Sequence, residues 1–388
     1  MTARASDKSN FDVIVLGGGT MGTAAAWALA RRGITVLAVE QFQHVHDRGA
    51  HGGETRIIRH AYAESPEYVP LVQRADQLWT ELEDLTNSRV LIRCGGLELS
   101  APGYRHAQAA RLAADEHHLP YEWLSPAEAS RRWPAFTIPD DWDVLFSASS
   151  GFLLTDPALR GMAGEARRLG ATILEQTTAV DWGADADAAW VDTTTGRFTA
   201  EQLIVTAGAW STRILADLGL PIEIRRKTLW WQALDHPDRH DPSRFPVFIS
   251  DSRHGEIYGF PAYGEPALKI ANHSGGQPTD PDSVDRTTHD GENSDCLSLA
   301  AELIPGVQRQ VVKSAVCLYA MTPDADFIID RHPAHERVTI GAGFSGHGFK
   351  FAPAIGELLA EIATNTGAAT LPRFSIERFA TAPARSGL

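Results

Sequence analysis

Few folds accommodate the order of residues with which this chain begins. A β-branched run, Phe11-Asp-Val-Ile-Val-Leu16, leads into Gly17-Gly-Gly19-Thr20-Met21-Gly22 and then into an alanine-rich stretch, Ala24 to Arg32. The pattern reads as strand, tight turn and helix. After Gly33 comes a second apolar run, Ile34 to Val39, which closes on Glu40. About thirty residues therefore make one βαβ unit of the dinucleotide-binding type. Gly17 permits the turn, Gly19 lets backbone N–H groups approach a pyrophosphate at the positive end of the helix, and Gly22 lets helix and strand pack closely. Thr20 and Met21 open that helix and belong to the same binding turn. Glu40 is placed to accept ribose hydroxyls, and its carboxylate disfavours a 2′-phosphate. A bare glycine pattern is a weak signal, but strand, helix and terminal acid together favour a bound dinucleotide over a plain turn. FAD and NAD both satisfy it.

With 388 residues, 43% of them apolar, the chain exceeds a single minimal core, and two lobes are expected. Its 49 acidic against 35 basic side chains leave a net charge of −14. That balance argues against a nucleic-acid or anionic-membrane surface and for a small-molecule partner. An anionic substrate would need local positive charge against this background, so Arg or Lys near a cofactor motif gains interest. Cys94, Cys296 and Cys317 lie far apart with no CxxC pair, which fits a reducing compartment. Met1 to Asn10 is polar and lacks an apolar stretch, so no signal peptide or membrane span is read there and a cytoplasmic protein is expected.

Further along, Tyr68 to Leu85 has helical spacing of leucines, and Val90 to Leu99 looks like a hairpin pivoting on glycines. Pro157 to Leu169 reads as a helix, Ala171 to Leu174 and Thr178 to Trp182 as strands, and Leu203 to Gly208 as a buried strand ending on a glycine, where backbone approaches a ligand closely. Lys227 to Ala271 is strand-like and aromatic, Gly275 to Asp295 is a polar surface loop, and Val338 to Ala342 followed by a helix from Ala352 to Thr364 returns to the first lobe. The fold class expected is α/β, a Rossmann-type domain joined to a second, mixed-sheet α+β substrate domain. The first domain is expected to be discontinuous, over residues 1–90, 146–220 and 315–388, and the second to take 91–145 and 221–314.

The blocks Glu54-Thr55-Arg56-Ile-Ile-Arg59-His60-Ala-Tyr62, Tyr258-Gly-Phe-Pro261, Leu268-Lys269-Ile270, Ala315-Val-Cys317-Leu-Tyr319 and Gly343-Phe-Ser-Gly346-His347-Gly348-Phe-Lys350 resemble the monomeric sarcosine oxidase and N-methyltryptophan oxidase family. The resemblance runs from Phe11 to Phe374 with the blocks in the family's order. It implies a two-lobe architecture like that of glutathione reductase, with FAD attached through Cys317. It also implies a substrate carboxylate held by Arg59 and Lys350, and Lys269 promoting the reaction of reduced flavin with oxygen. Arg56 is placed on the flavin side as a catalytic residue, and His51, Thr55, Val180, Gly208, Gly346, Gly348 and Lys350 join the cofactor-binding set. An amino acid and oxygen are the implied partners, and a monomer is expected. The chain departs from the family where Ala50-His51-Gly52-Gly53 keeps one histidine of an adjacent pair. It departs again where Ile249 stands in place of Met and Trp230-Trp231 adds bulk, which turns the expectation away from sarcosine itself.

The residues alone leave each of these roles open. Cys317 taken singly is most often a small buried hydrophobe. Arg56 and Arg59, three apart, suit one face of a short helix or a turn, with a solvated basic patch as the bland reading. Lys350 is either a surface lysine at the start of the last helix or a ligand cation, since an ammonium there opposes the helix dipole. Lys269, in Ala267-Leu-Lys-Ile-Ala271, is either outward and solvated or inward and functional. His51, His60, His273 and His347 are acid–base candidates or packed rings, with His273 carried forward as catalytic. Tyr258, Tyr319 and Ile249 are taken as pocket walls, with core packing as the alternative. No metal site is read, and His44-x-His46 is taken as solvated. The activity expected is oxidation of a C–N bond in a secondary-amine amino acid, giving an imine, then aldehyde plus amine, and hydrogen peroxide. An NAD-dependent dehydrogenase, a non-catalytic dinucleotide sensor, and a pipecolate, proline or fructosyl amino acid oxidase are the alternatives.

Overall fold

Neither of the two units into which the chain divides is made from one stretch of sequence. In the computed structural model, which describes residues 11–380, the first unit contains the chain up to His51, Leu159–Ile224, and the chain from Tyr319 onward. The second contains Gly52–Ala158 and Arg225–Leu318. The polar stretch Met1 to Asn10 lies outside the described residues. No helix among the described residues is long and apolar enough to cross a membrane.

The first unit is built on the opening motif. Phe11–Leu16 pairs in parallel with Val36–Val39 on one side and with Gly196–Val205 on the other, and Thr172–Leu174 and His335–Ala342 extend the parallel core outward. Strands buried on both faces read as continuous apolar runs, and Ile14, Leu16, Leu37, Val39, Leu203, Val205, Val338 and Ile340 form one core cluster. The helix Thr20–Arg31 is buried along most of its length. The lack of a side chain at Gly356 explains its closeness to the last helix, Ala352–Thr364: a Cβ there would stand 2.5 Å from the Ala24 carbonyl.

The second unit centres on a nine-stranded sheet in which Glu223–Leu234, Ala267–Asn272, Gly255–Phe260, Val247–Ser252, Gly96–Ser100 and Asp143–Ser147 lie side by side. Strand alternation sorts this sheet into two faces. Trp230, Leu268, Ile270, Ile257, Phe248, Leu97, Leu99 and Val144 point to one face and pack with Leu299 and Leu303 of the helix Ser294–Leu303. The opposite face carries Trp231, Lys269, Phe260, Tyr258, Ile249 and Glu98, residues directly paired across the strands. A three-stranded sheet of Thr55–Ile58, Gly151–Leu154 and Leu91–Arg93 covers part of that face through Ile57, Ile92 and Phe152, which pack on Val247, Ile249 and Phe260.

Several expectations are corrected. Val90 to Leu99 is not a hairpin: Leu91–Arg93 and Gly96–Ser100 belong to different sheets, because the chain turns out of the first at Gly95, where φ is +75°. Residues 52–90 and 146–158 fall with the second unit rather than the first, because Thr55–Ile58 pairs with Gly151–Leu154 and Asp143–Ser147 pairs with Gly96–Ser100. Arg56 and Arg59 are not on a helix. Arg56 sits in the strand Thr55–Ile58 and Arg59 follows it, and an odd spacing in extended chain sends two side chains to opposite sides. Trp230 and Trp231 do not act as a pair, for the same reason. His44 is buried, with Nε2 3.0 Å from the Thr23 hydroxyl, rather than solvated.

Candidate active site

In the first unit the glycine turn is shaped by contacts that tolerate no side chain. A Cβ on Gly22 would lie 1.8 Å from the Gly17 carbonyl oxygen, while one on Gly19 meets nothing within 4 Å. Gly19 caps the helix without a side-chain hydrogen bond, and no acid stands in its first turn. A helix end with unclaimed N–H groups, open space above it and no acid beside it fits a pyrophosphate. Glu40 is buried at the end of the second strand, where its Oε1 accepts from the Phe42 N–H at 2.9 Å. His51 is buried with its ring 4.9 Å from that of His46. Gly208, with φ +55°, follows the strand whose Thr206 hydroxyl donates to the Gly17 carbonyl at 2.8 Å. Val180 stands apart, on the outermost strand Ala179–Ala184 and 67% exposed.

The last block also belongs to the first unit. Gly346 has φ +79°, and a Cβ there would lie 2.2 Å from the ring of the buried Tyr319. Gly348 leaves room for Phe344 and Met21. Lys350 is buried, not a surface lysine, and its Nζ donates to the His347 carbonyl at 2.8 Å. His347 in turn has Nε2 2.9 Å from the Ala325 carbonyl, and its ring packs against Phe327. His347 is thus a packed ring.

In the second unit Lys269 points inward and is 3% exposed. Its Nζ donates to the Gly53 carbonyl at 2.5 Å, the Thr55 carbonyl at 2.9 Å and the Thr55 hydroxyl at 2.7 Å. Three acceptors match the three protons of an ammonium. The Phe260 and Trp231 rings stand 4.4 Å and 5.3 Å from the nitrogen. Burial, and after it the charge of Arg56, hold the group well below the usual lysine range. Arg56 is fixed by donating to the Thr55 carbonyl at 2.7 Å and the Gly52 carbonyl at 2.6 Å.

Cys317 lies on the strand Val307–Met321 and is buried. Burial raises its thiol, while Arg56, Lys227, Lys269 and Arg286 draw it back down. Sequence reasoning missed Lys227, whose Nζ donates to the carbonyls of His273 at 3.1 Å and Ser274 at 2.6 Å and whose pKa burial pushes down to about 8. It also missed Lys313, which stands 5.3 Å from Trp231 and pairs with Glu54. Burial prevails over these basic groups, and the thiol is held above its ordinary range.

Arg59 is 3% exposed. Glu64 accepts from its Nη2 through both carboxylate oxygens at 2.8 Å and 2.7 Å, the Ala61 carbonyl accepts from Nη1 at 3.2 Å, and the Tyr62 ring lies 4.5 Å away. Behind it stands Glu98, with Oε1 3.8 Å from Nε, and His106 lies 2.6 Å from the other Glu98 oxygen. Burial opposes the charge of Arg59, but Glu64 and Glu98 outweigh it and hold the guanidinium protonated. Neither Glu98 nor His106 was singled out from sequence, although an acid inside Gly96-Leu-Glu-Leu-Ser100 is the same signal that marked Lys269. Tyr258 and Ile249 face each other across neighbouring strands. His273 follows the lysine strand, half-buried, with its N–H donating to the Glu256 carbonyl at 2.6 Å and its ring 6.4 Å from Tyr258. Among the described residues no group of three or more side chains is arranged to hold a metal ion.

Comparison with known proteins adds a family. Residues 12–362 match the model of the FAD dependent oxidoreductases. The chain is 38% identical to the monomeric sarcosine oxidase of Bacillus sp. (strain B-0618), covering 95% of this chain and 96% of that one. It is 35% identical to the N-methyl-L-tryptophan oxidase of Yersinia pestis (strain Pestoides F), covering 95% and 100%. Among solved structures it shares its fold with NikD, an unusual amino acid oxidase, at a TM-score of 0.82 and 22% identity, over 95% of this chain and 98% of the other. The family match removes the nicotinamide-dehydrogenase alternative.

Proposed function

Because this chain belongs to the FAD-dependent oxidoreductases, within the group of the monomeric sarcosine and N-methyl-L-tryptophan oxidases, we propose that it oxidises the C–N bond of an N-methyl or similarly N-substituted amino acid. The products are an imine, which water converts to aldehyde and amine, and hydrogen peroxide. FAD, when bound, supplies the two-electron acceptor. The residues that would hold it are the Gly17–Gly22 turn with Glu40, and Cys317 as a covalent anchor.

The observation that carries this reading is the covered face of the nine-stranded sheet. It carries a fully hydrogen-bonded Lys269 and the Tyr258–Ile249 pair, in the same unit as the buried Cys317 and Arg59. Arg59 offers a planar fork to the substrate carboxylate, which must compete with Glu64 for it. Lys269 supplies positive charge where oxygen gains electrons. Tyr258 and Ile249 shape the space for the amine and exclude water. The enzyme acts as a cytoplasmic monomer in this reading.

A peroxide-coupled screen of the yellow holoenzyme across N-methyl, cyclic and glycated amino acids tests the activity; peroxide with none of them sinks it. Acid precipitation tests the anchor. The wild-type pellet keeps its colour and Cys317→Ser releases it.

A further inference from the structure

Arg59 carries two carboxylates of different standing. Glu64 approaches from a half-open position, with 28% of its side chain exposed, whereas Glu98 is 3% exposed and rises from the middle of the sheet. A ligand carboxylate can displace the first. The second is a permanent neighbour, because strand pairing on both sides fixes its backbone. An uncompensated Glu98 would cancel the charge that Arg59 needs to attract an anion, and in a buried site that cancellation is strong.

His106 stands where it can remove this obstacle. It opens the helix His106–Glu116, which lies on the same sheet face through Ala110 and Ala114. Its Nε2 is 2.6 Å from Glu98 Oε2, and its Nδ1 is 3.9 Å from Glu256 Oε1. The charged groups facing it are Glu98 on its own side of the sheet, Arg59 beyond Glu98, Glu256 on the strand Gly255–Phe260 and Asp251 on the strand Val247–Ser252. Glu256 and Asp251 are both held toward the neutral carboxyl by burial. With Glu64 displaced, the set formed by Arg59, Glu98 and a protonated His106 has one net positive charge. With neutral His106 it has none.

We propose that Glu98 and His106 are positioning residues for Arg59, in which the His106 imidazolium offsets Glu98 and so leaves the guanidinium able to attract a substrate carboxylate. The inference rests on the assignment of Arg59 to that carboxylate. Affinity for a carboxylate then depends on the charge of a histidine that never touches the ligand. Burial works against that charge, but the hydrogen bond and the charge of Glu98 carry the histidine above its ordinary value, so the imidazolium persists to higher pH than in a free histidine.

Propionate is a suitable probe because it has a carboxylate and no amine to titrate. Its dissociation constant for the flavin-loaded enzyme is measured by calorimetry from about pH 6, near the ordinary histidine value, up to about pH 9. We expect binding to weaken about tenfold toward the alkaline end. H106Q should bind about tenfold more weakly than wild type at the acid end and lose the pH dependence. E98Q should bind at least as tightly as wild type and also lose the dependence, and E98Q/H106Q should match E98Q. A purely structural pair would weaken binding in both single variants alike. Burial pushes Lys227 down to about 8, within the pH span measured, so loss of the dependence in H106Q makes the assignment. Wild-type affinity that is flat with pH, or E98Q weakened as H106Q is, overturns the proposal, and the wild-type titration needs no variant to fold. Arg59→Gln separates the two readings. If it leaves propionate binding unchanged, the carboxylate site itself is misplaced; if it abolishes binding while the wild-type profile is flat, only the role of Glu98 and His106 falls.

Discussion

Lys269 shows how much of a residue's meaning comes from what surrounds it. Three oxygen acceptors and two aromatic faces suit an ammonium, while burial and Arg56 work against it. Lys269→Met should slow reoxidation of the reduced enzyme by about 10²-fold and its anaerobic reduction far less; equal losses in stopped-flow traces of the two half-reactions would remove Lys269 from the oxygen step. Lys227 is the companion case. Its pKa of about 8 lies below the ordinary 10.5, so between those values the unfolded chain holds a proton that the folded chain has released. Stability therefore rises with pH across that window, and below it the buried ammonium is a constant cost. The stability of Lys227→Met relative to wild type, from urea melts, should fall by up to about 3 kcal/mol from the lower to the upper end of the window. Lys269 was marked in the sequence as a charge inside an apolar strand, but its direction was not, because alternation is silent about which face is which. Lys227 was not marked at all, since it lies within the strand Glu223–Leu234 among other charged residues, where the sequence does not show which face a side chain takes.

At the level of elements, the last glycine turn is a fitted part. Gly346 combines a left-handed backbone with a Cβ position 2.2 Å from the Tyr319 ring. Gly346→Ala should destabilise the protein by about 2 kcal/mol or more, from backbone strain and from overpacking. A fall in melting midpoint together with a displaced Tyr319 environment in near-ultraviolet dichroism is the check; an unchanged midpoint would mean the ring yields without cost. Long periodic elements were legible. The helices at 69–86 and 352–364 and the opening βαβ unit come straight from apolar spacing and glycine placement. The helices at 106–116 and 294–303 were not read, because the first is alanine-rich with a weak stripe and the second follows a polar loop. The mistaken hairpin at 90–99 had the right strands. What it lacked was the knowledge that two short strands flanking a glycine can enter different sheets.

For the molecule as a whole, a net charge of −14 surrounds a site read as attracting anions. Association of propionate with the holoenzyme should therefore be hindered by the overall field and helped by salt. A rise from about 0.01 M to about 0.15 M ionic strength shortens the screening length from roughly 30 Å to roughly 8 Å, and the association rate should increase a few-fold. A rate that falls with salt would mean the local cations dominate the approach as well as the binding. The two-unit organisation was legible from the return of dinucleotide-type elements near the C-terminus, but its borders were not. Strand pairing between residues nearly a hundred positions apart decides where 52–90 belongs.

The two-sided sheet of the second unit has a bearing on how such a protein can change. Neighbouring positions along one strand answer to different demands, so Trp231, Tyr258, Ile249 and Glu98 can be exchanged without disturbing the residues next to them in the chain. A library confined to these alternate positions would search for new substrates on an unaltered scaffold. A single inserted residue in any of those strands would instead exchange chemistry for packing along the rest of its length. Substitution is the open route to diversification here, and insertion the closed one.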